Sequence, residues 1–439
     1  MAAQYAINGT TAKGITSSVE QAVAEGGLGP GDALPPVRRL ADDLGVSAGT
    51  VATAYKELRQ RGIVVTRGRG GTVVAQAPAI GARRPPRVPQ GVRDLAGGHP
   101  DPALMPVLLP PERVVPVLGS HRGSPRRTGL EELAREWFAR DGIPDSRVTF
   151  AHGALDCMAR LLSAELKPGD AVAVEDPGFH HLLDLVPALG LRMVPVAVDD
   201  EGITPGALRT ALRAGVRAVV CSPRGQNPMG GCFSEARRDA LLEALGGFPE
   251  VLVIEDDHNA EVAGAPPYSL ASGGLERWAQ VRTVSKHLSV DLRWAALACD
   301  ATTLARHEGR MLLTSGWVSH LLQETVERTM ADPATRTLVT RAEHAYSERR
   351  QALIRELARR GIAARGASGM NVWVSVRDES AVVNGLRSRG WWVAAGSRFR
   401  IATPTAVRIT TASLEVPEAA RLATDFAAVL GDSEATYGG

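Results

Sequence analysis

Lys286 is one of four lysines in 439 residues, and its surroundings suit chemistry at the side-chain amine. It stands in Thr283-Val284-Ser285-Lys286, with Arg293 seven residues further on. Upstream, the apolar run Val251 to Glu255 reads as a buried strand and ends in Asp256-Asp257-His258. An exposed lysine is protonated and condenses poorly with carbonyls, whereas a desolvated one near other cations is activated for Schiff-base formation. The remaining lysines are poor competitors. Lys13 and Lys56 belong to an N-terminal segment of different character, and Lys167 sits in a Lys-Pro-Gly-Asp turn.

Other residues supply what such an amine would work with. Asp256 or Asp257 ends a strand, where open α/β sheets place ligand groups; Asp256 is the preferred candidate. His152-Gly153-Ala154-Leu155 opens a helix, and Gly153 and Ala154 would offer free N–H groups to an anion. Ser285 and Arg293 add further donors, Arg293 in bidentate fashion. Phe179, in Glu175-Asp176-Pro177-Gly178-Phe179, follows another strand end and offers an aromatic face. Asn227, in Gln226-Asn227-Pro228, and His258 can hydrogen-bond a ring hydroxyl. An imine-forming lysine, an acid for a pyridine nitrogen, phosphate donors and a stacking face are the requirements of pyridoxal 5'-phosphate. A carboxylate there keeps the nitrogen protonated and makes the ring an electron sink.

Three segments position these groups. Residues 12–75 alternate helix and turn signals, residues 76–93 are rich in Pro and Arg and read as a linker, and residues 94–432 alternate strand-like and helical runs. The last pattern is that of an α/β domain with a mostly parallel sheet and helices on both faces. Its end, about 330–432, reads as a small C-terminal subdomain, with a helix near Ala342–Arg360 and strands at Met370–Val376 and Val407–Thr411. The net charge of +2 is uneven: residues 1–93 hold 12 Lys+Arg against 6 Asp+Glu, leaving 38 against 42 beyond. A basic front on a mildly acidic body suits a polyanion at one end. Four cysteines without CxxC spacing argue against zinc or a disulfide framework, so no metal is expected and a reduced, cytoplasmic setting is. No apolar run reaches membrane-spanning length.

The first segment reads as a winged helix-turn-helix. A helix carrying Ile15, Val19 and Val23 is followed by one from Val37 to Leu44 and, after Gly45, by a third that Ser47 caps. Ile63–Thr66 and Thr72–Ala75 flank a basic wing tip with Arg67 and Arg69. The third helix would enter the major groove of double-stranded DNA, with Ser47 and Thr50 near its leading end. Arg38, Lys56, Arg67 and Arg69 are placed for phosphates.

Leu34-Pro35-Pro36-Val37-Arg38-Arg39-Leu40-Ala41 with Leu44-Gly45-Val46-Ser47 resembles the GntR-type DNA-binding domain, although Ala48-Gly49 stand where that family often carries Arg or Asn. Lys167-Pro168-Gly169-Asp170, Gln226-Asn227-Pro228-Met229-Gly230, Glu255-Asp256-Asp257-His258, Ser285-Lys286 with Arg293, and Ala406-Val407-Arg408-Ile409-Thr410 resemble fold-type I pyridoxal phosphate enzymes of the aspartate aminotransferase superfamily. The whole chain is similar to the MocR subfamily of GntR regulators. That resemblance implies that Arg408 binds the α-carboxylate of a substrate or effector. It also implies a head-to-tail, domain-swapped homodimer whose two readers meet two half-sites of an operator. Departures are Phe179 for the usual Tyr, His258 for a Tyr, and His181 where some members carry an effector-binding Arg. The Tyr-x-Asp-Pro segment of relatives stands here as Arg122-Gly123-Ser124-Pro125. The expected function is a regulator in which a small amino compound reacts with or displaces the Schiff base at Lys286 and alters DNA binding. The alternative is a working aminotransferase with a DNA-binding appendage.

Overall fold

The computed structural model describes residues 7–24, 27–29, 31–60, 63–66, 71–75, 88–111, 124–143 and 147–437. They fall into two compact units, one comprising residues before 87 together with 167–170 and 184–192, the other the remaining residues from 87 onward. Arg67, Arg69, Arg122, Gly123 and most of the expected linker lie outside the described residues.

The first unit contains α1 (Ala12–Ala24), α2 (Val37–Leu44), α3 (Ala48–Gln60), β1 (Val64–Thr66) and β2 (Thr72–Val74). Apolar side chains at helical spacing build one core from Ile15, Val19, Leu40, Val51, Tyr55 and Leu58, closed by Val64 and Val74. Gly45 ends α2 in the left-handed region at φ 65°, where a glycine is free of the Cβ penalty. Its amide reaches back to Ala41 and Asp42, and the turn then hands over to α3. The Ser47 hydroxyl accepts from the amide of Thr50 at 3.1 Å, capping α3. β1 and β2 pair antiparallel with Val64 opposite Val74, forming the base of the wing.

The second unit begins with β3 (Arg93–Asp94). Its large sheet and covering helices follow as α4 (Thr128–Arg140), β4 (Arg147–Ala151), α5 (Ala154–Glu165), β5 (Ala171–Asp176), α6 (His180–Ala188), β6 (Arg192–Asp199), β7 (Gly202–Ile203), α7 (Pro205–Arg213), β8 (Ala218–Cys221), α8 (Glu235–Leu245), β9 (Leu252–Asp256), β10 (Trp278–Thr283), β11 (Ala295–Cys299), α9 (Ala301–Leu312) and α10 (His320–Ala331). The long α11 (Pro333–Ala358) leads to β12 (Ala364–Arg365), β13 (Asn371–Ser375), α12 (Glu379–Ser388), β14 (Trp391–Trp392), β15 (Ala394–Ala395), β16 (Ala406–Thr410) and α13 (Val416–Tyr437).

The large sheet has eight strands in the order β4-β11-β10-β9-β8-β5-β6-β7. β5, β8, β9 and β10 run parallel, and β11 is antiparallel to both β10 and β4. β4 therefore points the same way as β10. The central strands are apolar at nearly every position and buried along their whole length, as a parallel sheet covered on both faces requires. The small sheet, β12-β13-β16-β15, is antiparallel and sets Trp373 opposite Arg408.

Two boundaries differ from the sequence reading. The helix expected near Ala342 starts at Pro333, where Asp332 caps the amide of Thr335 at 2.8 Å and proline tolerates the first helical position. Arg93, at the end of the expected linker, already belongs to a strand: β3 pairs parallel with β14, Arg93 opposite Trp391. Leu95 then buries completely among Leu353, Trp391, Val407 and Phe426 of the small subdomain.

Candidate cofactor site

The sequence-predicted groups converge at the carboxyl ends of the parallel strands, where βα units leave room for a ligand. β9 ends in Asp256, β10 leads through Thr283 to Ser285 and Lys286, β5 leads to Phe179, and β8 leads to Asn227. β4 turns through Gly153 into α5. A cavity of about 320 Å³ opens between them, lined by Lys286, Asp256, His258, Asn227, Phe179, Ala154, Ser285, Arg293 and Arg408.

The Lys286 amine donates to the Gly98 carbonyl at 2.7 Å. Burial and the Arg408 charge lower its pKa to about 8, against a raising influence from Asp256. A sizeable neutral fraction near pH 8 makes it a competent nucleophile. Arg408, only 2% exposed, is paired with no carboxylate among the described residues. Its Nη1 donates to Oδ1 of Asn227 at 3.0 Å and its Nη2 to the Ala96 carbonyl, with the guanidinium 4.6 Å over the Phe399 ring. Burial and Arg398 push its pKa down while Asp94 opposes them, yet a guanidinium keeps its charge in proteins. A buried cation whose acceptors are neutral is chemically suited to an anionic partner.

The adjacent acids part company. Asp257 is buried in a four-membered network. Arg224 reaches it through Nε at 2.8 Å, Arg282 through Nε at 2.9 Å, and Asp141 bridges the same two arginines. Burial alone would raise its pKa, but the two arginines bring it below the ordinary value. Asp256 faces the cavity instead. Its Oδ2 stands 3.2 Å from Nδ1 of His258, and its Oδ1 is buried without a hydrogen-bond partner among the described residues. An acceptor aimed into a cavity with nothing to accept from fits a protonated ring nitrogen. Asp256 is the last residue of β9 and Asp257 the first beyond it, where Arg224 and Arg282 capture its carboxylate.

At the far end of the cavity the Arg293 guanidinium covers Gly153. A Cβ on that glycine would stand 3.2 Å from Nη2 of Arg293, and its φ of +94° disfavours any side chain. Arg293 itself lies in the left-handed region at φ 44°, alone among the described non-glycine residues. Such backbone costs about 1 kcal/mol or more and persists where the surroundings fix it. The Ser285 hydroxyl and the first turn of α5, opened by Ala154, complete a donor-lined corner whose chemistry suits an anion. Phe179 lies nearly parallel to His258, with ring planes 21° apart and centroids 6.5 Å apart. An amine, an orphaned acceptor, an anion corner and an aromatic face fit pyridoxal phosphate.

Sequence reasoning missed several groups. Gly97, Gly98, His99 and His180 also line the cavity, beside His181. Burial holds His180 at a pKa of about 2, so it stays neutral, and burial with Lys286 lowers that of His99. Arg224 and Arg282 were legible only as charges interrupting apolar context. Arg282 lies within β10 and is fully buried.

In the first unit, Arg38 and Lys56 are exposed. The hydroxyls of Ser47 and Thr50 lie 2.9 Å apart at the start of α3, so both lie at the helix end assigned to DNA.

This geometry defines a class: a winged-helix module joined to an aminotransferase-type fold. Residues 122–426 match the family model for aminotransferase class I and II, and residues 11–74 match that for bacterial regulatory proteins of the gntR family. The chain belongs to the MocR-type GntR regulators. It is 38% identical, over 95% of its length and 98% of the relative's, to the vitamin B6 salvage pathway transcriptional repressor PtsJ of Salmonella typhimurium. It is 27% identical, over 88% of each chain, to the pyridoxine biosynthesis transcriptional regulator PdxR of Corynebacterium glutamicum. Among solved structures, the α-aminoadipate aminotransferase LysN of Thermus thermophilus shares the fold at a TM-score of 0.67 and 20% identity, covering 79% of this chain and 94% of that one. No helix among the described residues is long and apolar enough to cross a membrane.

Proposed function

We infer that the chain is a pyridoxal phosphate-dependent transcriptional regulator whose cofactor pocket is its sensor. The supporting observation is the pairing, in one cavity, of a lysine amine with lowered pKa and a buried Asp256 oxygen that lacks a partner. In this reading Asp256 holds a proton on the pyridine nitrogen, and Asn227 and His258 hold the ring hydroxyl. Gly153, Ala154, Ser285 and Arg293 hold the phosphate, and Phe179 stacks on the ring. When bound, the cofactor supplies an aldehyde carbon that can exchange the Lys286 amine for that of an effector. Arg408 takes the effector's carboxylate, which favours a small amino acid. The readers, arranged in a domain-swapped homodimer in the cytoplasm, meet two operator half-sites through Ser47 and Thr50, with Arg38, Lys56, Arg67 and Arg69 on phosphates. A ligand shifts DNA binding only by its differential affinity for the two states.

Two relatives named for vitamin B6 pathways favour a second reading, in which the cofactor level is itself the signal. Operator binding measured with pyridoxal phosphate alone, and then with candidate amino acids added, separates the two. A response complete with the cofactor alone supports the second reading; a response requiring the amino acid supports the first. Sustained turnover with amino donor and keto acceptor would instead favour a working aminotransferase.

A further inference from the structure

The segment from Ala96 to His99 is anchored on both sides and held in the middle by the site's own cations. Upstream, Arg93 and Asp94 pair with β14, the Leu95 amide donates to the Trp392 carbonyl at 2.8 Å, and the Leu95 carbonyl accepts from the Thr410 amide at 2.8 Å. Downstream, the Asp101 amide donates to the Tyr346 hydroxyl at 3.1 Å, and the Asp101 carboxylate accepts from Arg349 at 2.8 Å. Between these anchors, Lys286 donates to the carbonyl of Gly98 and Arg408 to that of Ala96. Gly98, at φ +68°, lets the backbone lie flush on Arg408: a Cβ there would stand 3.2 Å from its Nη2.

Both donors are the groups a ligand would claim. When the lysine amine condenses with an aldehyde, a C=N bond forms, one water leaves, and the nitrogen keeps at most one hydrogen. A nitrogen so substituted would no longer be a freely rotating multiple donor, so the Gly98 carbonyl would lose the hydrogen bond it accepts from the Lys286 amine. A carboxylate on Arg408 competes in the same way with the Ala96 carbonyl, and a charged acceptor outbids a neutral one.

We propose that residues 96–99 form a two-point latch, held by Lys286 at Gly98 and by Arg408 at Ala96, that a bound cofactor releases at Gly98 and a carboxylate ligand releases at Ala96. The latch follows directly on β3, the first strand after the stretch that joins the second unit to the DNA-binding module. Opening it is therefore felt at the sheet strand nearest, along the chain, to the reader. The cofactor half of this inference rests on the reading that Lys286 takes pyridoxal phosphate.

Amide hydrogen exchange across 95–99 in the full-length protein tests it, with absorbance recorded in parallel. Without cofactor, Lys286→Met should raise exchange there up to about tenfold, the worth of one lost hydrogen bond, and Arg408→Ala should do the same nearer Ala96. Unchanged exchange in both variants overturns the latch whatever the cofactor does. In the wild type, pyridoxal phosphate should produce the absorbance band together with faster exchange at 95–99. A band accompanied by unchanged or slower exchange overturns the cofactor-opened half, whereas absence of the band sinks the functional reading and leaves the two variants to decide the tether.

Discussion

The DNA-binding module and the cofactor cavity both depend on cations, but they hold them in opposite ways. Arg38 and Lys56 stand exposed on the helices of the first unit. Lys286 and Arg408 line the cavity, and the acceptors they share with it are neutral. Arg224 and Arg282 are also buried, but locked to Asp257 and Asp141. Exposed charges act at long range and are screened by salt. Buried ones act only on what touches them, and losing a partner is costly. Under the proposed function, the first unit is suited to find a polyanion and the second to recognise small anionic ligands.

The sharpest break of this contrast is Lys286→Ala. It should abolish the cofactor absorbance band and the borohydride-fixed adduct outright while the protein stays folded, as checked by circular dichroism. A remaining adduct on another lysine would show that burial at position 286 is not what selects the amine.

Next in size is a pair of substitutions at neighbouring acids. Asp257→Ala leaves two buried guanidinium groups short of an anion and should destabilise the fold by about 3–5 kcal/mol, read as a lowered unfolding midpoint. Asp256→Ala should cost far less stability and instead weaken cofactor retention. Equal losses of stability would erase the division of labour between the two acids.

The rate of adduct formation should rise with pH and level off above about 8, the lowered pKa of Lys286. The sign follows from the neutral amine being the nucleophile: each unit below that value leaves about tenfold less of it. A midpoint near 10.5 would mean that burial does not tune the lysine.

The smallest effect is expected on the exposed side. Lys56→Ala should weaken binding to every DNA sequence alike and reduce the slope of log affinity against log salt by about 1. A loss confined to one sequence would move Lys56 from phosphate contact to base reading.

Much of this arrangement was legible in the chain. Buried parallel strands are continuous apolar runs, so 171–176, 218–221 and 252–256 announce themselves together with the polar residues at their ends. The helices of the first unit show because Gly45 and Ser47 carry local turn and cap chemistry. The choice between Asp256 and Asp257 was not fixed by local pattern, since it depends on Arg224, from the loop after β8, and Arg282, from β10. The latch residues were hidden for a related reason. Ala96, Gly97 and Gly98 contribute carbonyls, and a carbonyl has no signature in a sequence. The start of α11 at Pro333 was missed because its amphipathic pattern is weak there, although Asp332 and Pro333 carry a cap signal.

The parallel pairing of Arg93 with Trp391 also has a consequence for how the molecule is born. Those partners are separated by about 300 residues, and at a synthesis rate of roughly 5–20 residues per second the earlier strand waits about 15–60 s for the later one. During that interval a nascent chain already carries its complete winged helix while the strand beside its exit has no ladder to join. Every newly made copy therefore passes through a stage in which the winged-helix module exists before the aminotransferase-type fold that follows it in the chain.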